Sequence, residues 1–116
     1  MTDNFLLYTL PSDDMETMKA ELERVLDVQL DFIDSDDWGP HYSTPTDPHE
    51  DIVSIYKNWD HQDDMVLMSK YAGSPLLVSI YDTEDQDNYH ERIMRSKELE
   101  AVLVKRTEKY EKPIYD

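Results

Sequence analysis

The sequence contains no cysteine, which excludes a disulfide scaffold, a thiol nucleophile and thiolate metal sites. Its two glycines, Gly39 and Gly73, leave no material for a Gly-rich phosphate loop. No apolar run approaches the length of a membrane span. Met1-Thr2-Asp3-Asn4 lacks the basic region of a signal peptide, and the apolar run Phe5–Leu10 is too short to follow one. The expectation is a cytoplasmic protein without membrane contact, and the missing cysteines fit a reducing compartment. Basic residues are also scarce: 11 Lys and Arg stand against 27 Asp and Glu, a formal net charge of −16 on 116 residues. Direct nucleic-acid binding, which depends on neutralising phosphates with Lys and Arg, is not expected from such a chain.

The negative charge is unevenly placed. Residues 1–64 hold 17 Asp and Glu against Lys19, Arg24 and Lys57, whereas residues 65–116 hold 10 acids against 8 bases. Self-repulsion on this scale disfavours compaction, so the bias suits solubility or a positively charged partner better than it suits the fold. Trp38, Tyr42, Tyr56 and Trp59 are interleaved with the acids, and such aromatic residues anchor interfaces. A hydrophobic content of 39% and patterned apolar runs nevertheless support a packed core in a single domain over 1–116.

Along the chain, Phe5–Leu10 reads as a mostly buried strand ended by Pro11. A helix over 13–26 follows, capped by Ser12 or Asp13, with Asp13 and Glu16 at capping-box spacing. Met15, Met18, Leu22, Val25 and Leu26 form its apolar stripe, read as core, and Lys19 and Glu23 are spaced to pair on its wet side. Residues 28–33 alternate as a half-buried strand with Val28, Leu30 and Phe32 on one side. An irregular acidic loop is expected over 34–51, where Pro40, Pro45 and Pro48 recur. Residues 52–59 form a strand, 60–64 a polar turn, and 65–68 a weak return strand or a loop packed on the core. Leu76–Tyr81 is a strand after Gly73-Ser74-Pro75, residues 85–97 a helix with Tyr89, Ile93 and Met94 inward, and 101–104 a last strand before a charged tail over 107–116. The expected class is α+β: a mixed or antiparallel sheet of four to five strands with two helices on one face, in the order β-α-β-β-(β)-β-α-β.

No motif points to catalysis, a cofactor or a metal. Asp34-Ser35-Asp36-Asp37-Trp38-Gly39 resembles a calcium loop only at its start, because Trp38 stands where an oxygen ligand belongs and Pro45 stands where the bidentate Glu belongs. His41, His49, His61 and His90 lack the spacing that puts two imidazoles on one helix face. No Ser sits in a Gly-x-Ser-x-Gly turn. Two carboxyls at a set separation suffice for glycosidase chemistry, but with 27 acids that criterion discriminates nothing.

One resemblance emerges from the order of elements. An amphipathic helix leads to a strand with Leu30 and Phe32, then to Asp34-Ser35-x-x-Trp38-Gly39-x-His41-Tyr42, Ile52-x-x-Ile55-x-x-Asn58, a Pro-preceded strand from Pro75 to Tyr81, a helix, and a closing strand ending in Lys105-Arg106. This arrangement resembles small bacterial immunity proteins of polymorphic secreted toxins. The resemblance implies a non-enzymatic fold that binds a cognate toxin and blocks it. A basic substrate cleft, such as that of a nuclease, is the complementary target for an acidic and aromatic surface. The partner-binding residues expected on this reading are Asp34, Asp36, Asp37, Trp38 and Tyr42, with Asp60, Asp63 and Asp64 at the edge. Two other classes stay open: an acidic mimic of nucleic acid that occupies DNA-binding proteins, and a small metal-binding or enzymatic domain.

Overall fold

The computed structural model describes residues 5–35, 39–45, 52–59, 64–81 and 85–107. The described residues form six strands and two helices: β1 (Phe5–Leu10), α1 (Met15–Leu26), β2 (Asp31–Ser35), β3 (Gly39–Ser43), β4 (Ile52–Lys57), β5 (Leu76–Tyr81), α2 (Gln86–Arg95) and β6 (Val102–Thr107). A single 3-10 turn, Ser69–Tyr71, lies between β4 and β5. The strands make one sheet in the order β2-β3-β4-β5-β1-β6, antiparallel at every pairing.

The class is α+β, as expected, with a strand more than the upper expectation. The additional strand is β3, which occupies part of the stretch expected to be an irregular loop. Gly39 opens it in the left-handed region, at φ 67°, which a residue without Cβ adopts freely. Pro40 is tolerated because it pairs only with Asp34 of β2; the ladder to β4 begins one residue later, at His41. The segment 65–68 does not form a full strand; Met65 and Leu67 are exposed, and Met68 packs on Tyr56 and Leu77.

α1 starts two residues later than its pattern suggests, and Asp14 rather than Ser12 or Asp13 is its cap. The Asp14 carboxylate accepts the Thr17 N–H at 3.2 Å and the Thr17 hydroxyl at 2.7 Å, which holds its carboxyl below the usual range. The expected Lys19–Glu23 pair forms at 3.3 Å. The stripe is core: Met18, Leu22 and Leu26 are buried, with Met15 and Val25 packed at its margin. They meet Leu6, Tyr8 and Leu10 of β1, Val53 and Ile55 of β4, Val78 and Ile80 of β5, and Ile93 of α2, so both helices cover the same face. Burying one such Leu contributes about 1.5–3 kcal/mol. The other face carries a smaller cluster of Leu7, Tyr56 and Leu77, beside a polar row in which Ser43, Ser54 and Ser79 lie level on β3, β4 and β5.

This topology decides what is exposed. α1 carries the chain from β1, one strand in from the β6 edge, across the sheet to β2 at the opposite edge. α2 makes the shorter crossing from β5 to β6 over β1, and β6 forms the opposite edge.

Candidate partner interface

β2 reads Asp31-Phe32-Ile33-Asp34-Ser35 and lies at the sheet edge. Phe32 is 60% exposed and Ile33 40% exposed, and both flanking aspartates are exposed as well. Alternation had assigned Phe32 to a buried side. It does share a face with Tyr42 and Ile55, but α1 lies over the middle of the sheet and leaves this row uncovered at its end. A pair of large apolar side chains on an edge strand, bracketed by acids, is the kind of exposure that marks interaction surfaces.

Behind Phe32 the surface is built rather than loose. Its ring meets Tyr42 of β3 edge-on, with centroids 5.5 Å apart. The Tyr42 hydroxyl donates to the Glu16 carboxylate of α1, and Lys19 Nζ lies 5.2 Å from the centre of the Tyr42 ring. The Glu16 carboxylate, with some burial, raises the Tyr42 phenol above its ordinary pKa, so it stays a neutral donor. Glu23 fixes the approach to the strand by accepting the Leu30 N–H at 2.9 Å, and Gln29 Nε2 donates to Asp31 at 2.7 Å. The result is an aromatic pair on a supported base, with Glu16, Glu23, Asp31 and Asp34 around it.

The expected site residues are distributed as follows. Asp34 is exposed on β2, on the same sheet face as Tyr42 of the adjoining strand. Tyr42 is half-buried and tied to α1, which makes it a support for Phe32 rather than a free anchor. Asp64 is exposed and left-handed, at φ 54°. The β3–β4 register puts residue 39 level with residue 58, so the start of β3 and the segment following β4 share one end of the sheet. Asp36, Asp37, Trp38, Asp60 and Asp63 lie outside the described residues. Phe32, Ile33 and Glu16 were missed. The signal for the first two was the acid on either side of them, unusual for a strand whose alternation buries one residue in two.

Two other groupings of polar side chains are occupied by the fold. Asn58 is buried after β4 and uses its whole amide: Nδ2 donates to the carbonyls of Tyr71 and Ser74 at 3.0 and 3.1 Å, and Oδ1 accepts the Met68 N–H at 2.7 Å. It pins the segment that closes a cavity of about 460 Å³ lined by Trp59, Val66, Pro75 and Leu76, with Asp13 and Lys57 at its rim. Trp59 is 37% exposed there. At the other end of the sheet, the buried Tyr8 hydroxyl lies 2.9 Å from His90 Nδ1 of α2, and burial raises its pKa. Arg106 of β6 reaches Gln86 at 3.0 Å and Asp87 at 2.7 Å beside it.

Among the described residues no group of three or more His, Asp or Glu side chains is arranged to hold a metal ion, and no helix is long and apolar enough to cross a membrane. Compared with protein-family models and with curated proteins, the chain matches none.

Proposed function

We propose that this chain is an immunity protein that binds and neutralises a basic cognate toxin in the cytoplasm. The observation that carries the reading is the β2 edge: Phe32 and Ile33 stand exposed between Asp31 and Asp34, in the half of the chain with 17 acids and three bases. Charge of this density speeds encounter with a basic partner by about 10–10³-fold at low salt. Speed matters where a toxin must be stopped before it acts. The apolar pair supplies what charge does not, a contact that persists when salt screens the field.

The test is co-expression with the toxic domain encoded in the adjacent reading frame. Restored growth, together with a stable complex weakened by Phe32→Ser, supports the reading. Undiminished toxicity in the presence of abundant chain overturns it. Equal, strongly salt-dependent binding to several unrelated DNA-binding proteins would transfer the chain to the nucleic-acid mimics instead.

A further inference from the structure

β2 pairs with β3 on one side only, and among the described residues no strand lies along its outer side. Its outward backbone N–H and C=O groups are therefore a template for another strand. Proteins usually blunt such edges with Lys, Pro, a bulge or a covering segment. β6, the opposite edge, is blunted: its register against β1 shifts between Leu7 and Tyr8, and it carries Lys105 together with Arg106, which is anchored to α2. Among the described residues nothing covers β2, and its only charged side chains are Asp31 and Asp34. It holds an unbroken register over its whole length, without Lys or Pro, and shows one large apolar side chain to each face.

Resting on the binding reading above, we propose that the β2 edge receives a β-strand of the basic partner, which extends the sheet by one strand. Charge selects the occupant. A second copy of this chain would bring four carboxylates, Asp31 and Asp34 of each, onto one short two-stranded ribbon, where like charges repel across the strands. The net charge of −16 on each copy opposes it further. A strand bearing Lys or Arg opposite Asp31 and Asp34 instead gains the backbone ladder along the edge and an ion pair at each end. Apolar residues between its basic positions cover Phe32 and Ile33.

The experiment is hydrogen exchange of the full chain, followed by NMR, with a short capped peptide built around Lys-Val-Val-Lys as the probe, a spacing that matches Asp31-Phe32-Ile33-Asp34. The control peptide has the same side chains and charge, but every amide is N-methylated. The plain peptide is expected to slow exchange of outward amides within residues 31–35 and to bind about tenfold tighter than the control, with a similar loss in Asp31→Lys/Asp34→Lys. Equal affinity for both peptides overturns strand addition and leaves the basic-partner reading standing, because charge alone then holds them. Protection confined to β6 overturns it too. Failure of both peptides to bind at low salt removes both readings. A dimer in sedimentation, with β2 amides protected before any peptide is added, makes a second copy the occupant and overturns the choice made here.

Discussion

The two ends of the sheet are fastened by the same device and finished differently. At the β6 end, α2 holds the strands through the buried Tyr8–His90 contact and the reach of Arg106 to Gln86 and Asp87. At the β2 end, α1 does so through Glu16 to Tyr42 and Glu23 to the Leu30 N–H. Each helix thus ties a phenol to the sheet. The Tyr8 phenol is fully buried and the Tyr42 phenol is at the surface, so the β6 end contributes stability while the β2 end presents a shaped surface. Apolar exposure follows the same split. Val102 is 56% exposed on β6 but stands alone, whereas Phe32 and Ile33 are adjacent on β2 and bracketed by acids.

The comparison breaks most forcefully where the ends are joined. Leu22 is fully buried under α1, and Leu22→Ala is expected to destabilise the whole domain by about 2–5 kcal/mol in urea unfolding. Both ends should loosen together; an unfolding transition that splits in two would show that they are separate cooperative units. Next in size, Asp31→Lys/Asp34→Lys should slow association with the basic partner about tenfold at low salt while the urea midpoint stays put. Loss of stability in that variant would mean that the aspartates serve the fold.

Deleting one hydroxyl at each end sharpens the contrast. Tyr8→Phe should cost about 1 kcal/mol, because a buried hydrogen bond is lost, whereas Tyr42→Phe should leave the midpoint unchanged and act only on partner binding. A separate effect concerns alkaline pH. Burial pushes Tyr56 up to about 12 and raises Tyr8, and Glu16 raises Tyr42. Each phenol then holds its proton more tightly folded than unfolded. Their contribution is complete below the ordinary tyrosine value of about 10 and is lost as pH climbs through the raised values. Stability followed by circular dichroism should fall between about pH 10 and 12. Tyr42→Phe should leave most of that fall in place, and Tyr8→Phe should shrink it.

The parts of the fold legible in the sequence are those where local pattern and burial agree. The stripe from Met15 to Leu26 covers one helix face, and that face is the one the sheet needs. Leu76–Tyr81 and Phe5–Leu10 are apolar apart from Ser79 and Thr9 because both lie inside the sheet. β3 was illegible because Gly39 and Pro40 are strand breakers when judged alone; only their position ahead of the β4 ladder makes them harmless. The exposure of Phe32 was illegible for a different reason. Alternation tells which side chains share a face but not how far along the sheet a helix extends over that face. Leu99, wholly buried outside any strand or helix, carried no periodic signal at all. Of the candidate site, Asp34 and the acidic bias were legible, and the apolar half of the patch was not.

The strand order has a consequence for how the molecule is made. Of the six strands described, β1 is the first to be synthesised, yet its neighbours are β5 and β6, the last two. At ordinary rates of synthesis it waits several seconds for a partner. Its run of Phe5, Leu6, Leu7 and Tyr8 stays uncovered by strands through that interval, while β2, β3 and β4 assemble as a local meander. The acids crowded into the first half of the sequence are on hand throughout this wait. An excess of one charge opposes association between chains while the strand that will lie between β5 and β6 is still bare.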